Sequence, residues 1–284
     1  MLRIAIQKSG RLSEQSLALL AESNIEFGGH GRALLAQSKN FPLEILYLRD
    51  DDIPQCVYDG VADIGIVGED VLQEKNYALN IVERLGMGKC RMSLAIPKSV
   101  VYNDLKWFNG KKIATSYPRV LGNFLQSNNI AAEIHEISGS VEISTTIGLA
   151  DAIFDIVSSG STLVSNGLKE VETVLHSEAV MVSQKEGLTE DKQLIINDLL
   201  FRLRAVQKGR QYKYILLNVP TKNVDKIIDV IPGSKSPTVV PLAQEGWSSV
   251  HSVLPENDFW KIIDQLKKLD AQGILVMPIE KMIL

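Results

Sequence analysis

The stretch Asp151-Ala-Ile-Phe-Asp155-Ile-Val-Ser158-Ser159-Gly160-Ser161-Thr162-Leu163 decides the reading of this chain. Residues 152–157 form an apolar, strand-like run that delivers the backbone into a loop of small residues, with a helix expected from about Thr162. Small side chains let successive backbone N–H groups converge, and a helix start adds about half a positive charge. Together they make a phosphate cradle that needs no Lys or Arg. Asp151 and Asp155, just upstream, are spaced so that both can accept hydrogen bonds from the hydroxyls of a bound sugar, as an acidic residue does in dinucleotide folds. The same residues also read as a plain turn in which Ser161 or Thr162 caps a helix. The loop lacks both GxxxxGK[ST] and GxGxxG, so the phosphate reading favours a mononucleotide-like ribose phosphate.

Working outward, the strand–turn–helix rhythm repeats. Residues 2–6 read as a strand, Ser9-Gly10 as a turn, and 12–21 as a helix capped by Ser13 or Ser16. Residues 44–48 are a strand that leads to a helix start at Asp52-Ile53-Pro54, with Asp52 as its N-cap. Residues 63–67 run into Gly68-Glu69-Asp70 in the same way. A second unit is expected from Lys98: strand 111–115, a helix start at Ser116-Tyr117-Pro118, helix 119–126, strand 132–137, and a helix over 140–148 capped by Ser140. Two βα units in tandem predict a mostly parallel α/β architecture of two lobes around a cleft. Residues 171–182 read as the return crossing, 192–206 as an outgoing helix, and 207–210 as a linker. Beyond it the order is β-α-β-β-α-β, that of a ferredoxin-like domain. The expected domains are lobe I (1–97 plus 180–206), lobe II (98–179) and a C-terminal domain (210–284).

Composition narrows the function. The 284 residues are 45% hydrophobic and 23% charged with net charge −4, which fits a globular protein and not an electrostatic nucleic-acid binder. Apolar runs are too short to cross a bilayer, and the start MLRIAIQKSGRL carries Arg3 and Lys8 in place of a signal-peptide core. With only Cys56 and Cys90, neither a disulfide scaffold nor a Cys-based zinc site is expected, and a reduced cytoplasm fits best. His30, His135, His176 and His251 show no metal-binding spacing, and no GxSxG elbow is present. Trp247, Phe259 and Trp260 read as core of the last domain. Lys8 and Arg11 follow the first strand, where they can meet a di- or triphosphate or simply snorkel past the sheet edge. Arg49 ends another strand and is a phosphate candidate; Glu69 and Asp70 suit a helix dipole; Tyr117 reads as a base-stacking partner or as packing.

Eight segments in order, LRIAIQKSGRL (2–12), LRDDDIP (48–54), VADIGIVGED (61–70), KIATSYP (112–118), GSVEI (139–143), GLADAIFDIVSSGSTLVSNGL (148–168), SPTVVPL (236–242) and ILVMPIEKM (274–282), resemble the ATP phosphoribosyltransferase family, the first enzymes of histidine biosynthesis, in the long form that carries its own regulatory domain. The resemblance implies a two-lobed, periplasmic-binding-protein-like catalytic module with a C-terminal ferredoxin-like (ACT-like) domain. It implies transfer of phosphoribosyl from phosphoribosyl pyrophosphate to N1 of the adenine of ATP, release of pyrophosphate, Mg²⁺ held mainly through substrate phosphates, feedback inhibition by histidine, and homo-oligomers (dimer and hexamer) with no separate regulatory subunit. By the same resemblance the 155–162 loop (Ser158, Ser159, Gly160, Ser161, Thr162) takes the 5-phosphate, with Asp151 and Asp155 at the ribose. Lys8 and Arg11 are then expected on the polyphosphate side, joined by Arg49 and Arg91, while Glu69 and Glu142 contact ribose or Mg²⁺-bound water. Histidine is expected at Ser236-Pro237-Thr238 and the Ala271–Gly273 turn, through a buried Thr hydroxyl and backbone groups at adjoining strand ends. Asp270 stands where the family commonly has Gly. A non-catalytic two-lobed solute-binding protein is the competing reading, and a catalytically dead paralogue a third.

Overall fold

The computed structural model describes residues 1–28, 34–231 and 236–283; His30 lies outside them. In chain order the elements begin β1 (Leu2–Gln7), α1 (Arg11–Glu22), β2 (Leu35–Gln37), β3 (Leu43–Leu48), α2 (Ile53–Tyr58), β4 (Ile64–Gly68), α3 (Glu69–Lys75) and β5 (Leu79–Arg84). Next come β6 (Cys90–Pro97), β7 (Lys112–Thr115), α4 (Pro118–Ser127), β8 (Glu133–Glu136), β9 (Ala152–Val157), α5 (Ser161–Ser165), β10 (Leu168–Ser177) and β11 (Ala179–Gln184). The long α6 (Glu190–Gln211) leads to β12 (Tyr212–Pro220), α7 (Val224–Val230), β13 (Thr238–Pro241), β14 (Trp247–Pro255), α8 (Glu256–Lys268) and β15 (Gln272–Pro278).

The first sheet has the order β2-β3-β1-β4-β11-β5, with β1 parallel to β3 and β4, and β11 antiparallel to β4 and β5. Leu2, Ile4, Ala5 and Ile6 of β1 are all fully buried, the near-continuous apolar run of a central strand covered on both faces. On β4, a Cβ at Gly65 would lie 2.7 Å from Ile53 Cγ2 and 2.9 Å from Val57 Cγ2, so only glycine lets α2 pack this closely. The second sheet has the order β10-β6-β9-β7-β8, with β9, β7 and β8 parallel and β6 antiparallel to both of its neighbours, β9 and β10. Successive β9 residues serve opposite faces: Phe154 joins Met92, Leu94, Phe108 and Leu121, while Ile153 and Val157 join Ala95, Ala114 and Leu163. Two crossings, β5 to β6 and β10 to β11, connect the lobes. The third sheet, β13-β14-β12-β15, is antiparallel and buries Ile215, Leu217 and Val250 with Ile227, Phe259 and Leu266 from α7 and α8, the expected βαββαβ order.

The structure corrects several expectations. β6 belongs to the second sheet, so lobe II starts before Lys98; its antiparallel pairing with β9 and β10 was hidden because long-range pairing leaves no local signal. Both sheets are mixed: the first has a parallel centre, β3-β1-β4, whereas in the second the parallel strands β9, β7 and β8 run out to one edge. Residues 207–210 are the end of α6 and not a linker. Gly209 is needed there for close approach, since a Cβ would lie 2.7 Å from the Ile279 carbonyl oxygen, and Arg210 pairs with Glu22 at 2.7 Å. The chain divides into two compact units, Met1–Ala18 with Ile25–Ile196, and Leu19–Asn24 with Asn197–Leu284, so the boundary falls within α6. Several expected caps fail. Ser13 and Ser16 lie buried inside α1, Ser16 Oγ donating to the Leu12 carbonyl; Asp52 makes no side-chain cap bond. Ser140, at φ +51°, likewise makes no cap bond, and the expected helix over 140–148 is only a 3₁₀ turn, Val141–Ile143. Phe259 is core as expected, but Trp260 is 72% exposed.

Candidate active site

The parallel strands of both sheets point their carboxyl ends into one cleft, the place where open α/β sheets bind ligands. From the first lobe, β1 delivers Lys8 and Arg11, β3 delivers Arg49 and Asp50, and β4 delivers Glu69 and Asp70. From the second, β9 delivers the small-residue loop and β7 delivers Tyr117. Arg11 spans the cleft: its Nη1 lies 3.4 Å from Ser158 Oγ. Tyr117 reports the same convergence. Burial raises its phenol pKa, and the charges of Asp70, Asp155, Asp50 and Asp51, from both lobes, push it further in the same direction. The ring also packs on the core of the second lobe.

The loop itself is tightly turned. Gly160 has φ +81°, and Ser159 Oγ and Ser161 Oγ are 2.9 Å apart. The helix after it, α5, spans only five residues, so the cradle consists of backbone N–H groups with little dipole behind them. Gly160 is its N-cap, and neither Ser161 nor Thr162 caps it by a side chain. Asp155 is half-buried on β9; burial raises its carboxyl pKa, the Ile156 N–H, donating at 2.7 Å, opposes this, and nearby Glu142 adds to the rise. Asp155 and Glu142 therefore share one neighbourhood beside the loop.

Asp151 does not join them. It precedes β9, at the end of the strand opposite the loop, about 13 Å from Asp155 at ~3.3 Å per residue. There its Oδ2 accepts from the Lys112 N–H at 2.9 Å, and Lys111 Nζ lies at 3.8 Å, a role in fixing the start of β7. Glu69 is engaged by Arg84 through two 2.7 Å bonds, which leaves it a structural partner and not an open ligand group. Arg91 is held by Glu170 and donates from Nη1 to the Ser158 carbonyl at 3.2 Å, so it contacts the loop backbone instead of reaching for a polyphosphate. Lys8 and Arg49 are exposed at neighbouring strand ends. In the C-terminal domain, Ser236 and Thr238 are exposed at the β13 edge while Ala271 and Gly273 sit at β15, with two strands between. The two expected histidine contacts are thus on opposite edges of one sheet, and the Thr238 hydroxyl is not buried. Asp270 does adopt φ +61°, the conformation that favours Gly at that position.

Other polar contacts in the cleft region carry no sequence motif. Ser177 Oγ donates to Asp70 Oδ1 at 2.6 Å and accepts from the Asp70 N–H at 3.0 Å, fastening the end of β10 to the start of α3 beside a crossing strand. Glu74, on α3, accepts from the Arg119 and Val120 N–H groups at 3.0 and 2.9 Å and so caps α4 from the other lobe. In the sequence Asp70 reads only as suited to a helix dipole, with no sign of its burial or of these bonds, because the partners are 45 to 107 residues apart.

Comparison with known proteins bears on what such a cleft does. A family model described as ATP phosphoribosyltransferase matches residues 49–205, and a second, described as the HisG C-terminal domain, matches residues 209–281. The ATP phosphoribosyltransferase of Bacteroides thetaiotaomicron is 60% identical over 283 residues, covering 100% of both chains. The chain belongs to the ATP phosphoribosyltransferase family. The Cytophaga hutchinsonii ATP phosphoribosyltransferase is 55% identical over 282 residues, 99% of this chain and 98% of that one. Among solved structures, the Thermotoga maritima ATP phosphoribosyl transferase (HisG:HisZ) complex aligns with TM-score 0.62 and 30% identity over 72% of this chain and 96% of that chain. A periplasmic sulfonate-binding protein, SsuA from Methylobacillus flagellatus KT, aligns with TM-score 0.53 at 16% identity over 80% of this chain and 72% of that one, a likeness of fold alone. The two-lobed, binding-protein-like module with a C-terminal domain is therefore the architecture of this ATP phosphoribosyltransferase family member, and the chain is a pentosyltransferase of histidine biosynthesis.

Proposed function

We propose that the chain joins ATP, through N1 of its adenine, to the ribosyl carbon of 5-phosphoribosyl 1-pyrophosphate and releases pyrophosphate. The observation that carries this is the 158–162 loop facing Arg11 across the cleft, in a chain aligned end to end with its relatives. The loop's N–H groups receive the 5-phosphate. Asp155 and Glu142 lie where a ribose bound through that phosphate extends, and their negative charge favours an oxocarbenium-like carbon as the diphosphate departs. Lys8, Arg11 and Arg49 supply positive charge to the departing group; the neutral N1 needs alignment more than activation.

No three His, Cys, Asp or Glu side chains among the described residues could together hold a metal ion. The scattered oxygen donors of the cleft fit a Mg²⁺ that would be carried on substrate phosphates, and Asp155 and Glu142 would accept hydrogen bonds from its waters. When bound, Mg²⁺ neutralises diphosphate charge.

In the C-terminal domain we place histidine at Ser236, Thr238, Ala271 and Gly273. Because these lie on opposite sheet edges, one inhibitor molecule touching both needs two copies of the chain, which fits a homo-oligomer of dimers or a hexamer. A cytoplasmic setting follows from the pathway. The test is pyrophosphate release measured with each substrate alone and with both. Release only with both, together with a product of the summed mass less pyrophosphate, supports the reading; phosphoribosyl pyrophosphate binding without turnover leaves a solute-binding module.

A further inference from the structure

Arg91 sits on β6 directly opposite Val157, the last β9 residue before the loop. Its Nε and Nη2 each lie 2.5 Å from one oxygen of Glu170, a forked pair in the geometry that best fixes a guanidinium. Its Nη1 donates to the Ser158 carbonyl at 3.2 Å. Glu170 is itself immobilised: its Oε1 also accepts from Ser93 Oγ at 2.7 Å and from Thr173 Oγ1 at 3.3 Å. These donors, Arg91 first among them, hold the Glu170 carboxyl down to about 2, so it stays ionised throughout the working pH range. The β10 register shifts between Glu170 and Glu172 and again between Thr173 and Leu175, irregularities of the kind that re-aim side chains.

A trans peptide is planar, so a carbonyl and the following N–H point in opposite directions. Holding the Ser158 carbonyl toward Arg91 therefore turns the Ser159 N–H away from it. We propose that Glu170 is a positioning residue for the phosphoribosyl-binding loop, clamping Arg91 so that Arg91 anchors the Ser158 carbonyl and aims the Ser159 N–H into the cradle. Glu170 touches no substrate in this scheme and acts only through Arg91. The inference rests on the reading that this loop binds the 5-phosphate.

The experiment uses the full-length enzyme with Glu170→Ala, Arg91→Ala and the double substitution, read in two ways. Amide hydrogen exchange of residues 158–162 without substrate should quicken about tenfold in either single variant, and no further in the double. The KM for phosphoribosyl pyrophosphate should rise about tenfold in each single variant, stay within twofold of the Arg91→Ala value in the double, and leave the KM for ATP within twofold of wild type. If Glu170→Ala fails to fold, Glu170→Gln replaces it, since it keeps one acceptor for Arg91 and should give an intermediate rise in exchange. Unchanged loop exchange in a folded variant, effects that multiply in the double, or equal rises in both KM values would overturn the clamp. Faster exchange with an unchanged KM for phosphoribosyl pyrophosphate would leave the clamp standing and remove the 5-phosphate from this loop.

Discussion

Gly160 offers a direct measure of how much the loop's shape contributes to substrate binding. At φ +81° it occupies a region that costs an L-residue about 1–2 kcal/mol. A Cβ there would meet only Val157 Cγ1, at 3.8 Å, an ordinary contact, so Gly160→Ala carries the conformational cost and almost no steric one. In the free enzyme the altered loop can relax to negative φ, and the bound phosphate must then restore the native turn. The KM for phosphoribosyl pyrophosphate is expected to rise about 5- to 30-fold, the factor that corresponds to 1–2 kcal/mol, with the KM for ATP unchanged. Gly110→Ala is the matched control. It has φ +69°, no atom within 4 Å of where a Cβ would sit, and a backbone bond to the Ala131 carbonyl at 2.7 Å that keeps the turn in place at the far end of β7. Its cost should appear as a lower thermal midpoint, by about 2–4 °C per kcal/mol, with both KM values at wild type. Steady-state kinetics and thermal unfolding on the two variants suffice. Equal KM effects from both, or none from Gly160→Ala at an unchanged thermal midpoint, would refute the reasoning.

Asp155→Asn should lower kcat/KM at least about 100-fold by removing charge at the reacting carbon, and should raise thermal stability at pH 7. The sign follows from burial: the folded-state pKa lies above the unfolded 3.8, so ionised Asp155 destabilises the fold at neutral pH, and the gap between variant and wild type should close as pH falls through the raised value and vanish below 3.8. Ser177→Ala strips buried Asp70 of its hydroxyl donor and should cost about 1.5–3 kcal/mol in chemical denaturation. Glu74→Ala leaves two α4 N–H groups without their acceptor, at about 1–2 kcal/mol, and solution scattering should show more open lobes. Thr238→Ala should weaken inhibition of turnover by histidine severalfold while uninhibited turnover stays the same.

What was legible in the sequence is what chemistry writes locally. The apolar run of β9 followed by Ser-Ser-Gly-Ser-Thr gave the loop its place at a strand's carboxyl end, and the last domain's element order was readable from alternating patterns. What stayed hidden is set by pairing across long sequence distances. Asp151 and Asp155 look equivalent at a spacing of four, yet a strand separates its ends by its own length, and one acid lands at the wrong end. Arg91 reads as a phosphate ligand until Glu170, 79 residues later, occupies its fork, and Glu69 likewise until Arg84 engages it. The glycine at 209 suggested a break but answers a tertiary contact with the C-terminal segment.

A crystal structure of the enzyme with phosphoribosyl pyrophosphate bound tests the assignment of the loop most directly. The 5-phosphate oxygens should lie about 3 Å from backbone nitrogens of residues 159–162, with Asp155 beside the ribose and Asp151 remote from it. A 5-phosphate seated at Lys8 and Arg49, with the loop empty, would contradict it.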